Sequence, residues 1–214
     1  LYHLGMMPTM AAAAHFFGKA GEGVPVEEWF DSAMAWDEES LAPALLMGDR
    51  LPVEWEARVA EGLSGFIGLP ARKLRRQHLR VTLDDFRRTI LADEGRVCGR
   101  LDMRFSSDAP LSLQTSSTWF EAEDAADDAV EASWTCAFRA FLHDELGYRP
   151  PARYLSNNYE HVGVNWKWKH KEPGKDWENS CPNVAYDIAV ALRRNPRMKL
   201  AILGGRYDAA TTFW

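Results

Sequence analysis

The chain has 214 residues, of which 46% are hydrophobic and 26% are charged. This composition is typical of a globular protein with a core of its own, and it excludes the disordered and collagen-like classes. The formal net charge of -6 and the pI near 5.6 provide no general attraction for nucleic acid or anionic lipid, so neither is expected as a partner. No run of the sequence approaches the roughly 18 apolar residues that a membrane-spanning helix requires.

The three cysteines, Cys98, Cys136 and Cys181, lie far apart and form no CxxC pair. This spacing differs from that of a zinc knuckle or a thioredoxin-like motif, and it permits at most one disulfide. We therefore predict no metal site from the cysteines. Their odd number assigns no cellular compartment to the chain.

The first part of the chain predicts a series of amphipathic helices after an apolar opening, residues 1–17, that needs a packing partner. From Val26 onward, apolar residues recur at helical spacing with acidic residues opposite them. Thr82, with Asp85 three residues on, resembles a capping box, and Gly68 predicts the end of an earlier helix. The expected helices before residue 95 begin near Val26, Ser40, Pro52, Pro70 and Thr82.

The hydrophobic period changes after residue 95. Residues 97–105 alternate apolar or small residues with charged ones, which predicts an extended segment with a charged face. A Ser- and Thr-rich loop is expected over residues 106–118. Asp127 or Asp128 is expected to cap the strongest helix of the chain, which the sequence ends at Gly147.

A buried strand and a carboxylate are predicted near the end of the sequence. Residues 199–204, after a helix expected from about Pro182 to Arg194, form a continuous apolar run typical of a parallel strand covered on both faces. Asp208 follows this run, and in open α/β sheets catalytic groups lie just past the carboxyl ends of strands. A carboxylate at this position can orient a histidine ring. The alternative is that Asp208 caps a turn or the next helix.

Several stretches, taken in their order, resemble the bacterial serine carboxypeptidases of the α/β-hydrolase superfamily. Residues 187–211, which contain Asn-Pro and then Gly-Gly-Arg-Tyr-Asp, are similar to the family's helix, NP-x-LK step, strand and GYYD-LATP turn. Residues 95–105 resemble its VGRLD-RF segment. Residues 138–148 and 41–51 are similar to helical parts of the family pattern.

The resemblance implies a partial α/β-hydrolase fold, of the α/β class, with a mostly helical cap insertion and one or a few core strands. It implies a core-flanking segment at residues 1–20, a largely helical cap at residues 21–180, and a helix, core strand and catalytic turn at residues 181–214. By position in the turn, Asp208 corresponds to the acid of the catalytic triad. Such an enzyme needs no metal and no cofactor.

The pattern also has departures near Asp208. Arg206 stands where the family has an aromatic residue, Ala209 replaces Leu, and Thr212 replaces Pro. Arg100, Asp102 and Arg104 are candidates to line the cleft under the cap, although charges on one face of an extended segment are commonly solvated or ion-paired.

The rest of a catalytic triad is absent from the sequence. No Gly-x-Ser-x-Gly elbow occurs, and Ser64, in Gly62-Leu63-Ser64-Gly65, has the wrong spacing. The family's histidine follows the acid, whereas all six histidines here precede Asp208. We therefore expect an internal piece of a serine-type carboxypeptidase, inactive alone. Its parent would release C-terminal residues from peptides through an acyl-enzyme, and its partners would be the peptide and the remaining part of the same hydrolase.

Two other functions stay open. One is a non-catalytic helical binding module derived from a hydrolase cap, and the other is an esterase or acyltransferase on the same scaffold. Residues 166–171 alternate Trp with Lys and include His170, as nucleic-acid platforms do, but the acidic balance of the chain favours tryptophans packed on the cap with the lysines in water. The sequence assigns no compartment, and a secreted or periplasmic parent is compatible with the resemblance.

Overall fold

A computed structural model describes residues 2–109, 124–152, 154–156, 158–180 and 183–212. The helices are α1 (Tyr2–Phe16), α2 (Val26–Trp36), α3 (Ala42–Met47), α4 (Val53–Ile67), α5 (Ala71–Arg76), α6 (Leu83–Thr89), α7 (Ala125–Ala140) and α8 (Ala185–Arg194). The strands are β1 (Arg96–Cys98) and β2 (Ser106–Asp108). The chain divides into a first unit, Leu1–Ala137 with Gly204–Trp214, and a second unit, Phe138–Leu203.

The apolar opening of the chain forms α1, the central helix of the first unit's core. Every residue from Met6 to Ala14 is buried, and α1 packs on α2 and α4. A helix that is apolar on all sides is stable only when it is covered on all sides. The core around it also contains Leu63, Ile67 and Phe86.

The helices predicted from amphipathic spacing in the first unit are confirmed. Helix α4 ends where Gly68 has a φ of 70°, a left-handed conformation that glycine adopts without a steric cost. Thr82 caps α6, because its side-chain oxygen accepts a hydrogen bond from Asp85 N at 3.2 Å. Between α2 and α3 the chain makes a π-helical turn, Asp37–Leu41.

Of the predicted extended segment, residues 97–105, only Val97 and Cys98 are strand, and they belong to one arm of an antiparallel hairpin. Strand β1 pairs with β2 in the register Val97 to Ser107, so Ser106–Asp108, predicted as loop, is strand, and the remainder of that loop lies outside the described residues. Residues 99–105 form the hairpin loop between the two strands, with Gly99 N donating to Phe105 O at 2.8 Å.

The prediction of the α/β class with a partial α/β-hydrolase fold is wrong for the described part of the chain. That part is mostly helical, and its single sheet is the hairpin of β1 and β2. Residues 199–204, predicted as a buried parallel strand, form no strand, and Ile202 and Leu203 are 81% and 95% exposed. An apolar run indicates that a segment tends to be buried, but it becomes part of a sheet only when a neighbouring strand pairs with it.

The second unit contains α8 and an aromatic irregular segment. Phe138 packs on Tyr154, with ring centroids 4.9 Å apart. Trp166 and Trp168 are 60% and 56% exposed, so the prediction that these tryptophans are packed is wrong. Each tryptophan lies beside lysines in a segment that contains an isolated β-bridge between His170 and Asn179, and Trp168 Nε1 donates to Gly163 O at 3.2 Å.

None of the helices in the described ranges is both long enough and apolar enough to span a membrane.

Candidate functional site

Asp208 lies in a tight turn, residues 204–211, which we call the Asp208 turn. The two oxygens of its carboxylate bind groups two and three residues ahead. Oδ1 accepts from Ala210 N at 2.9 Å and from Thr211 N at 3.0 Å, and Oδ2 accepts from Thr211 Oγ1 at 2.7 Å. These bonds hold the half-buried carboxylate in one orientation, and they are the turn-capping bonds that the alternative interpretation predicted.

The Asp208 turn is joined to the hairpin loop by backbone hydrogen bonds. Met103 N donates to Tyr207 O at 3.0 Å, and Ala209 N donates to Arg100 O at 3.0 Å. Met103 and Ala209 are 0% and 1% exposed, so both bonds lie beside fully packed side chains. Two segments that are about a hundred residues apart in sequence therefore form one structural unit, with Asp208 at its edge.

Two of the three charged residues of the hairpin loop, Asp102 and Arg104, pair with each other. Arg104 donates to both carboxylate oxygens of Asp102, from Nε at 2.9 Å to Oδ1 and from its terminal nitrogen at 2.6 Å to Oδ2. These hydrogen bonds lower the pKa of Asp102 below its usual value. The Arg104 guanidinium also lies 4.9 Å from the centre of the Tyr207 ring. Asp102 and Arg104 are thus an ion pair that contacts the Asp208 turn.

Arg206, which stands where the resembling pattern has an aromatic residue, contacts α2. The Arg206 guanidinium lies 5.0 Å from the centre of the Phe30 ring and donates to Glu27 Oε1 at 3.2 Å. The backbone hydrogen bond of Glu27 and, after it, the hydrogen bond from Arg206 lower the pKa of Glu27 below its usual value. Arg206 therefore connects the Asp208 turn to the helical core.

A buried ion pair that the sequence did not predict lies behind the hairpin loop. Arg87 and Asp124 are 6% and 7% exposed, and a terminal nitrogen of Arg87 is 3.6 Å from Asp124 Oδ2. Asp124 Oδ1 accepts from Ala126 N at 3.0 Å. Asp124 therefore caps α7, a role the sequence had assigned to Asp127 or Asp128.

Cys98 is not a nucleophile in this arrangement. Its side chain is fully buried, and this burial raises the pKa of its thiol to about 12, so the reactive thiolate is scarce near neutral pH. Cys136 is a free, exposed cysteine. Cys181 lies outside the described residues.

Among the described residues, no histidine donates a hydrogen bond to Asp208. His170 lies in the second unit, with Nε2 2.8 Å from Asp187 Oδ2. Ser64, which the sequence excluded as a nucleophile, lies inside α4 and donates to Leu69 O at 2.6 Å. The helical position predicted for Ser64 is therefore confirmed.

A shallow pocket of about 200 Å³ lies elsewhere in the first unit. Its lining includes Glu56, His78 and Arg80, and His78 Nδ1 is 3.3 Å from Glu56 Oε1. No residue of the Asp208 turn or of the hairpin loop lines it. Within the described ranges no three His, Cys, Asp or Glu side chains are grouped closely enough to hold a metal ion.

Comparison of the chain with family models, with curated proteins and with solved structures finds no match.

Proposed function

We propose that this chain supplies the triad acid and part of the active-site cover of a serine-type carboxypeptidase. Asp208 is the acid. The nucleophilic serine and the histidine come from polypeptide outside these 214 residues. The division into a core-flanking segment, a cap and an acid-bearing segment is part of this proposal.

The junction between the hairpin loop and the Asp208 turn is the observation that supports the proposal most. Residues 95–105 resemble one segment of the family pattern, and residues 204–208 belong to the second stretch, 187–211, that resembles it. Their direct pairing, through Met103 N to Tyr207 O and Ala209 N to Arg100 O, is what a shared role in positioning one carboxylate requires.

The hydrogen bonds of Asp208 leave room for a histidine. An ionised carboxylate has about four acceptor positions. Oδ1 uses two of its positions, for Ala210 N and Thr211 N, and Oδ2 uses one, for Thr211 Oγ1. Within the described residues nothing else binds Oδ2, so one of its positions is available to the N–H of an imidazole.

This geometry suits the role of the acid in peptide hydrolysis. The serine oxygen attacks the peptide carbonyl carbon while the histidine takes the serine proton, and Asp208 stabilises the resulting imidazolium. The histidine then gives this proton to the amino group of the C-terminal residue. That residue departs, and the acyl-enzyme remains. Water, deprotonated by the same histidine, hydrolyses the ester and releases the serine.

Hydrolysis of paired peptides by the complete gene product tests the proposal. We expect release of the C-terminal residue from a peptide with a free carboxylate, and at least about tenfold slower release from the same peptide with an amidated C-terminus. The chain of 214 residues alone should release nothing from either peptide.

The other outcomes identify the alternatives. Cleavage of small esters without cleavage of either peptide would indicate an esterase or acyltransferase. Binding of either peptide without any cleavage would indicate the non-catalytic binding module. Equal cleavage of both peptides would show that a free C-terminal carboxylate is not required. Each of these results contradicts the proposal.

A further inference from the structure

Arg100 connects the buried Asp124 to the Asp208 turn through its backbone. Its N–H donates to Asp124 Oδ2 at 2.6 Å, and its carbonyl oxygen accepts from Ala209 N at 3.0 Å. Both hydrogen bonds use the backbone of one residue, so a displacement of Arg100 N is transmitted to Ala209. Ala209 is the residue next to Asp208.

Asp124 is itself held in one place. Its carboxylate is 7% exposed, it caps α7 through Ala126 N, and it faces the Arg87 guanidinium at 3.6 Å. Arg87 in turn donates from Nε to Cys98 O at 2.8 Å, on the residue that ends β1. A buried charge is tolerated only with such partners, so the position of this carboxylate is closely determined.

Gly99 brings the hairpin loop close to Asp124. A Cβ at this position would lie 2.7 Å from Asp102 O, 3.2 Å from Ala126 N and 3.3 Å from Asp124 Oδ1. The loop therefore reaches the start of α7 only because residue 99 has no side chain.

Helix capping alone does not account for this arrangement. A cap requires only the bond from Ala126 N to Asp124 Oδ1. The bond of Oδ2 with Arg100 N joins residues 24 positions apart, and it is a charge-assisted bond in a buried setting, where such bonds are strong.

We infer that Asp124 is a positioning residue for Asp208: through the backbone of Arg100 it fixes the turn that carries the triad acid. The catalytic part of this inference rests on the proposed function. The structural part, in which Asp124 orders the Asp208 turn, does not.

Amide hydrogen exchange in the chain of 214 residues tests the structural part. In Asp124→Ala, the amides of Ala209 and Met103 are expected to exchange about tenfold faster or more, as loss of a hydrogen bond to a charged group predicts. The amides of α4 should keep their protection. Asp124→Asn retains an oxygen for Arg100 N, so its exchange rates at Ala209 and Met103 should lie between those of the wild type and Asp124→Ala. This variant replaces Asp124→Ala in the test if the alanine variant does not fold.

Asp84→Ala is the matched control. Asp84 Oδ1 is also 3.6 Å from the Arg87 guanidinium, but its side chain is 76% exposed and it does not bind the hairpin loop. Its replacement should leave the exchange at Ala209 and Met103 unchanged. Unchanged exchange at these two amides in both Asp124 variants would overturn the inference, as would an equal effect of Asp84→Ala.

Kinetics of the complete gene product test the catalytic part. Asp124→Ala is expected to lower kcat about 100-fold, the effect of misplacing a catalytic group by about 1 Å, with KM changed less than about twofold. In an Asp208→Asn background the same substitution should have no further effect on kcat, because the group that it positions is gone. An independent, multiplying loss would contradict the inference. A wild type without activity would contradict the proposed function, while the exchange result would still decide the role of Asp124.

Discussion

Asp208→Asn is expected to lower kcat of the complete gene product about 10⁴-fold, the loss seen when the acid of such a triad is replaced by its amide. The amide still offers an oxygen to Ala210 N and Thr211 N, so the Asp208 turn should persist. The amide does not stabilise an imidazolium and favours the wrong tautomer of the histidine. The loss should therefore appear in kcat with little change in the melting temperature.

Steady-state kinetics and thermal unfolding of the same preparations check this result. Asp49→Asn, at an exposed carboxylate in the first unit, is the matched control and should keep wild-type kcat. A loss of less than about tenfold in Asp208→Asn would show that Asp208 only caps its turn. An equal loss in Asp49→Asn would show that the assay does not report on the acid.

Asp37 is expected to make the stability of the chain fall as the pH rises from about 4 to about 7. Its side chain is 1% exposed, and Oδ1 has no hydrogen-bond partner among the described residues. Burial, with a smaller contribution from the charge of Glu38, raises the pKa of Asp37 from 3.8 to about 7. The folded chain therefore keeps a proton that the unfolded chain releases above about pH 4.

The sign and size follow from proton linkage. Wherever the folded state binds more protons, the free energy of unfolding decreases with pH. A shift of about three pKa units corresponds to about 4 kcal/mol between pH 4 and pH 7. Above about pH 7 Asp37 is ionised in both the folded and the unfolded state. Its contribution to the free energy of unfolding then no longer changes with pH.

Urea unfolding of Asp37→Asn at pH 5 and pH 8 measures this contribution. We expect the variant to be about 2 to 4 kcal/mol more stable than the wild type at pH 8, and the two to differ much less at pH 5. Asp31→Asn, at an exposed position of α2, should behave as the wild type at both values. A wild type and Asp37→Asn with parallel pH profiles would show that Asp37 is ionised at no cost, and the account of its burial would be wrong.

The sequence predicted best what depends on neighbours along the chain. The starts of α2 and α6 and the end of α4 follow from spacing, a capping threonine and a glycine, all of which act within one or two helical turns. The burial of Asp37 was not predicted, because Asp37 precedes Glu38 and Glu39, and such an acidic run is typical of a solvated turn. It is buried where the π-helical turn meets α1, and no local pattern reports that contact.

Long-range contacts account for the rest of the differences. The strand predicted at residues 199–204 was wrong: the run has the composition of a strand, but strand pairing requires a neighbour, and the described residues provide none. Asp124 was missed because its main partner, Arg100 N, is 24 residues away. The alternating segment after residue 95 was predicted as extended, yet its path back as a hairpin depends on Gly99 N binding Phe105 O.

A fluorophosphonate probe applied to the complete gene product, followed by mapping of the modified residue by mass spectrometry, tests whether Asp208 serves a nucleophilic serine. We expect one modified serine, in a Gly-x-Ser-x-Gly sequence outside these 214 residues, and much slower labelling in Asp208→Asn. Absence of labelling, or a modified serine within this chain such as Ser64, would contradict the assignment of Asp208 as the acid of a serine hydrolase.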